Sequence, residues 1–215
     1  MNLKHFLLFI LLMSACNQEK KRVMSVCNDM LNACAGNANA PDCTFGFKFG
    51  DQNPFSPAGA SVPGPQQKAM EISYKFQSAG LALNTHSQDG IVSGEFSETD
   101  KEGIRLQFAK WQAVANISFT EKLNSDKTDI TVIVASIEQG GIGYPAFVAD
   151  PCKQIAGFLI LNTRSSDRVK LSLHEIGHVL GLGHVSSNNV MNPDQSYDDL
   201  QSGDIAGVQS IYGVK

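Results

Sequence analysis

Two histidines and a glutamate lie within five residues of this chain, in the run His174–His178, of sequence HEIGH. On a helix, residues four apart project from one face, so the two imidazoles would lie one above the other with the carboxylate beside them. Gly181 follows where it can end the helix in the left-handed conformation, and that turn would bring His184 round as a third imidazole. Three neutral imidazoles around one point form a ligand set for zinc.

The predicted zinc site is catalytic in type. Three protein ligands leave one tetrahedral position open, whereas a structural zinc is closed by four. Water in the open position would have its pKa lowered towards ~7, and Glu175 is placed to accept its proton during attack on a peptide carbonyl. In a chain with five histidines and 19 glycines, the motif extended to His184 would arise by accident in roughly one chain in 10⁵.

The stretch 174–184 fits the signature H-E-x-x-H-x-x-G-x-x-H and resembles the metzincin zinc peptidases. Val190–Pro193 is similar to their Met-turn, in the Met-x-Pro form of the matrixin branch. The resemblance implies that Met191 supports the metal from beneath and is not a ligand. Asp204–Gly213 also resembles the C-terminal helix of matrixins, so the likeness covers about residues 69–215.

The resemblance implies a zinc-dependent endopeptidase acting on extended protein or peptide substrates. Such a substrate would pair with an edge strand, for which Tyr144 and Ala146 are the candidates, and the segment Pro193–Gly203 would form a wall of the pocket beside the zinc. The alternative is a catalytically silent surface binding protein on a protease fold, which the presence of Glu175 disfavours. A zinc hydrolase acting on something other than peptides would share the same site chemistry.

A single zinc is expected. Animal-type matrixins hold a structural zinc and calcium through His and Asp residues before the active-site helix, but here Pro145 and Gly157 stand at places where the resemblance would put histidines. Outside the signal and the motif only His86 remains. A structural zinc is therefore not expected, and the sequence leaves calcium binding open.

The chain begins with an export signal, in which a short positive region precedes the apolar run Phe6–Met13. That run is far shorter than the ~20 residues needed to cross a bilayer. The signal ends in a sequence that resembles the lipobox of bacterial lipoproteins, with Met13 where leucine is usual, and this predicts lipid attachment at Cys16. Cleavage after Ala15 is the alternative. The protein is expected to be exported, either anchored in the periplasm or at the cell surface through Cys16, or secreted.

The remaining cysteines are Cys27, Cys34, Cys43 and Cys152. An even number in an oxidising compartment predicts two disulfides, and each of the three possible pairings ties Cys152 to the N-terminal region. A propeptide cysteine bound to the zinc is disfavoured, because the Pro-Arg-Cys-Gly pattern of matrixins is absent.

Three regions are predicted: a signal peptide at residues 1–15, a lipid-anchored or flexible Cys-containing tether at 16–67, and a matrixin-like metallopeptidase domain at 68–215. Within the tether, aromatic residues at strand spacing (Phe45, Phe47 and Phe49) favour some packing on the domain. A net charge of −4 provides no basic surface for nucleic acid. Nothing in the sequence demands a partner chain, so a monomer is the default.

The fold class predicted for the domain is mixed α/β (α+β), and the resemblance implies a twisted, mostly parallel sheet with an active-site helix and a C-terminal helix. Strands are predicted at 69–76, 117–121, 130–135, 143–147 and 155–161. Helices are predicted from a capping box at Thr99-x-x-Glu102 to about 115, at 169–182 behind a cap at Ser166–Asp167, and at 202–212.

Overall fold

A sheet of five strands positions the rest of the molecule. The computed structural model of the chain describes residues 41–44, 49, 69–84, 88–148, 153–194 and 197–215. The strands are β1 Met70–Phe76, β2 Ala82–Leu83, β3 Ile91–Val92, β4 Ile117–Glu121, β5 Ile130–Ala135, β6 Gly141–Val148 and β7 Lys153–Asn162. The helices are α1 Glu98–Val114, α2 Arg168–Val179 and α3 Ser202–Tyr212.

The order of the large sheet is β4-β1-β5-β7-β6. Strand β6 is the last in this order and therefore lies at one edge. It runs antiparallel to β7, whereas all the other neighbouring pairs are parallel. Strand β5 is almost wholly apolar and lies at the centre, as expected for a strand covered on both faces. The predicted mixed α/β class and mostly parallel sheet are confirmed.

The helices pack on one face of the sheet around aromatic residues. The Phe108 ring of α1 stacks on Tyr74 of β1 with centroids 4.2 Å apart. Trp111 is fully buried, and its indole N–H donates to the Leu173 carbonyl of α2 at 3.0 Å. On the other face, Ile91 of the β2–β3 hairpin joins a second apolar cluster with Ile133. Within the described residues, no helix is both long and apolar enough to cross a membrane.

Two details of the helix starts differ from the sequence-based prediction. The predicted capping box at Thr99–Glu102 is wrong as the start of α1. The N-cap is Ser97, whose hydroxyl accepts a hydrogen bond from the Asp100 N–H. Asp167 does precede α2, but its side chain makes no capping hydrogen bond.

The β2–β3 hairpin was not predicted, because strands of two residues are too short to show an alternation of apolar and polar residues.

Part of the region predicted as a tether lies against the domain. Phe49 is 4% exposed within the main core, which confirms the packing expected of it. Residues Pro41–Thr44, here called the N-terminal strap, run beside the end of α2, where Thr44 forms an antiparallel bridge with Leu182. Cys43 is disulfide-bonded. The signal, Cys16 and the other cysteines lie outside the described residues, as does His86, so the lipid anchor and the disulfide pairing stay predictions.

Candidate metal centre

The three histidines of the motif converge on one point. The Nε2 atom of His184 lies 3.2 Å from that of His174 and 3.0 Å from that of His178. His174 and His178 come from successive turns of α2. Gly181, with φ of 106°, reverses the chain after the helix and so brings His184 to them.

Hydrogen bonds determine which ring nitrogen faces this point. Nδ1 of His174 lies 2.6 Å from the carbonyl oxygen of Val190, and Nδ1 of His178 lies 2.8 Å from that of Leu182. A carbonyl oxygen only accepts, so each Nδ1 carries the proton and each Nε2 presents a bare lone pair.

The convergence of the three Nε2 atoms fits a zinc ion. Zn–N bonds of about 2.0–2.1 Å at tetrahedral angles place ligand nitrogens about 3.3 Å apart, close to the spacing found here. The bare Nε2 lone pairs of His174 and His178 are available to such a cation. His174, His178 and His184 are the residues that would hold it, and they form a metal-ligand cluster of the described part of the chain.

Burial also favours the neutral, ligating form of the histidines. It lowers the pKa of His174 to about 4, against a weaker opposing effect of the hydrogen bond to Val190. Burial lowers the pKa of His178 well below its usual value and lowers that of His184 to a lesser degree. The imidazoles are therefore available to a metal at neutral pH without the loss of a proton.

Glu175 lies in the same cleft and is 5% exposed. Burial raises the pKa of its carboxyl to about 8, and a hydrogen bond from the Gly143 N–H opposes that rise. Strand β6 reaches the carboxylate because it carries glycines there. A Cβ on Gly141 would lie 2.9 Å from Glu175 Oε1, and one on Gly143 would overlap the Glu175 carbonyl.

Met191 is 2% exposed, and its side chain lies against Gly177 of α2, between His174 and His178 in the sequence. The turn that carries it is held by Asp204 at the start of α3. The carboxylate of Asp204 accepts from the N–H of Val190 at 2.8 Å and from that of Met191 at 3.1 Å. Sequence reasoning did not single out Asp204, although a carboxylate at the start of a helix is a recognisable capping signal.

The centre opens into a cleft of about 570 Å³. Residues 139–143, which include the start of β6, line one side of the cleft, and the Met-turn region lines the other. Of the predicted wall Pro193–Gly203, the residues Pro193, Asp194 and Tyr197 line the cleft. Tyr144 and Ala146 lie on β6, where they pair with Phe158 and Ala156 of β7.

Comparison with known proteins agrees with this geometry. The matrixin family profile matches residues 158–213. Metalloendoproteinase 1 of Glycine max is 30% identical over 142 residues, which are 54% of this chain and 47% of the relative. Serralysin of Photorhabdus sp. (strain Az29) is 30% identical over 110 residues, 46% of this chain and 23% of the relative. Macrophage metalloelastase of Oryctolagus cuniculus is 28% identical over 131 residues, 51% of this chain and 28% of the relative.

These matches support a metalloprotease of the metzincin type. The matched family implies a catalytic zinc, and the histidine cluster is a group that could hold it. The matched segments span less than half of the length of each of these relatives. The substrates and partners of the whole protein are therefore matters of proposal.

Proposed function

We propose that this chain is a zinc-dependent endopeptidase that hydrolyses extended protein substrates, with one zinc held by His174, His178 and His184 and with Glu175 as general base. The observation that carries the proposal is the set of three converging Nε2 atoms in one cleft with a buried carboxylate. Zinc at this site would lower the pKa of a bound water and polarise the carbonyl of the scissile bond.

Glu175 moves the proton in this reaction. Its carboxylate accepts a proton from the attacking water and then donates it to the nitrogen of the leaving amine. The Gly143 N–H orients the carboxylate. Beside a bound cation Glu175 would be ionised at neutral pH, because positive charge counteracts the effect of burial on its pKa.

The edge strand β6 is the proposed substrate-binding strand. In the sheet order of the described residues it is the edge strand, next to β7, and an extended peptide could add to this edge as a further strand. Tyr144 and Ala146 stay the candidates for this pairing, next to the part of β6 that lines the cleft. Selectivity would arise where Pro193 and Tyr197 face the same cleft.

The cellular setting is proposed from the sequence. Residues 1–15 act as an export signal, Cys16 is the lipid attachment site, and residues 68–215 form the peptidase domain. The only membrane contact proposed is the lipid anchor, no nucleic acid is bound, and the protein is a monomer. No structural zinc is proposed, and calcium binding stays open.

Cleavage of an unstructured protein by the mature chain tests the function. Wild type, Glu175→Ala and the control Glu102→Ala, which changes an exposed glutamate of α1, are compared for zinc content and for product termini by mass spectrometry. We expect one zinc in each protein and a rate about 10²–10⁴-fold lower in Glu175→Ala only.

Each alternative predicts a different result. Full zinc content with no cleavage by wild type would favour the silent binding protein. Cleavage by Glu175→Ala at the wild-type rate would refute the assigned base. Hydrolysis of small esters or amides without cleavage of any peptide would favour the hydrolase of non-peptide substrates.

A further inference from the structure

The peptide group between Leu182 and Gly183 is held from both sides. Its carbonyl accepts the Nδ1 proton of His178 at 2.8 Å, and its N–H donates to the carbonyl of Cys43 in the N-terminal strap at 2.9 Å. Because a peptide group is planar, a partner on the N–H side also sets the direction of the carbonyl. Hydrogen bonds in such a chain also strengthen one another. The strap thus reaches His178 through a single peptide group.

A second contact of the strap leads to the other helix ligand. Asn189 is 3% exposed, and its Nδ2 donates to the carbonyl of Pro41 at 2.8 Å while its Oδ1 accepts from the Gly203 N–H at 3.0 Å. The next residue is Val190, whose carbonyl holds His174. One side chain therefore joins the strap to the start of α3 and fixes the backbone that orients His174.

None of the four strap residues lines the active cleft. The strap lies behind the ligands, where Thr44 also forms its bridge with Leu182, two residues before His184. It is therefore placed to affect the orientation of the imidazoles without touching a substrate.

We propose that the N-terminal strap, Pro41–Thr44, is a positioning element of the metal centre that raises its affinity for zinc. It does so by orienting the two main-chain carbonyls, of Leu182 and Val190, that hold the helix ligands. The inference rests on the proposed zinc site. A strap that only added stability would leave the zinc affinity of the folded protein unchanged, whereas a positioning element would not.

The substitution Gly203→Ala displaces the strap from the side of α3. A Cβ at this position would overlap the Pro41 carbonyl oxygen and would lie 2.5 Å from Asn189 Oδ1. Alanine suits a helix better than glycine, so α3 itself is not weakened. The matched control is Ser202→Ala, at the exposed neighbouring position of the same helix.

Two measurements on the full mature chain are needed. Hydrogen exchange of the Gly183 amide reports whether the bond to Cys43 is still made, and competition with a chelator, at a temperature where the apoprotein is folded, gives the zinc dissociation constant. In Gly203→Ala we expect faster exchange at Gly183 and about tenfold weaker zinc binding. The control should stay within about twofold of wild type.

Asn189→Asp provides the second variant. It has the same shape and keeps an oxygen for the Gly203 N–H, but it sets a carboxylate against the Pro41 carbonyl and so repels the strap. Faster exchange at Gly183 with unchanged zinc affinity in either variant would overturn the inference. Unchanged exchange in both would overturn it as well, because the strap would not depend on these contacts.

The outcome is separable from the proposed function because zinc affinity is measured without a substrate. Zinc binding that weakens as expected in a protein without peptidase activity would support the strap and contradict only the endopeptidase. A wild-type protein that binds no zinc would refute both.

Discussion

Replacing Gly177 by alanine tests the packing beneath the metal centre. Gly177 lies on α2 between the first two ligands, and a Cβ there would overlap the Met191 sulfur and lie 3.1 Å from Cζ2 of Trp111. Trp111 is fully buried and Met191 is 2% exposed, so neither has space to retreat. The added methyl group must therefore push the Met-turn away from α2.

The size of the effect follows from two opposing contributions. Adding a methyl group to a filled core destabilises the folded protein by about 1–3 kcal/mol, whereas replacing a helical glycine by alanine stabilises the helix by about 1 kcal/mol. A net loss of about 1 kcal/mol corresponds to a melting temperature about 2–4 °C lower for a domain of this size. Because Val190 moves with Met191 and its carbonyl holds His174, zinc should also bind about tenfold more weakly.

A second glycine provides the control. In Gly103→Ala the new Cβ would lie 2.6 Å from Val169 Cγ1, at the opposite end of α2 from the metal ligands. Both variants should lose stability in thermal unfolding of the apoprotein, but only Gly177→Ala should lose zinc affinity in chelator competition. Equal losses of zinc affinity in the two variants would show that a general loosening of α2 is responsible. Wild-type stability and zinc affinity in Gly177→Ala would refute the tight packing of Gly177 on Met191.

Two further predictions concern carboxylates outside the cleft. Asp204→Ala leaves two buried N–H groups of the Met-turn without an acceptor. Urea unfolding should show that the free energy of unfolding falls by about 1–3 kcal/mol per group. Wild-type stability in this variant would refute the role of Asp204. Burial tends to raise the pKa of Asp100, but hydrogen bonds, chiefly from Arg168, hold it below its usual value. Stability from this pair should thus be present above the unfolded pKa of about 3.9 and lost as pH falls through the lower folded pKa. Arg168→Ala should reduce that dependence in urea unfolding between about pH 6 and 2, because only the hydrogen bonds from Ser97 would still lower the Asp100 pKa. An unchanged acid profile would contradict the role of Arg168.

The convergence of the three histidines could be predicted from the sequence, because it depends on side chains at a fixed helical spacing. His174 and His178 needed only the periodicity of a helix, and His184 needed only a glycine that ends it. The strands β4 and β5 were predicted with their observed bounds, since apolar runs of their length suit buried strands.

Other features escaped prediction because they depend on main-chain atoms. Strand β6 can approach Glu175 because positions 141 and 143 are glycines. A glycine in a strand indicates a close approach, but the sequence does not identify the residue that approaches it. The start of α1 was misplaced by two residues because Thr99 and Glu102 imitate a capping box, whereas Ser97 makes the bond.

The orientation of both helix ligands rests on the carbonyls of Leu182 and Val190, so the side chains at these two positions do not themselves hold the imidazoles. What the centre requires is the placement of two peptide groups. That placement depends on Asn189, on Asp204 and on the strap, all of which are separated from the metal by at least one peptide group. The zinc affinity of this protein should therefore be more sensitive to changes behind the ligands than to apolar exchanges at the two residues that contact them.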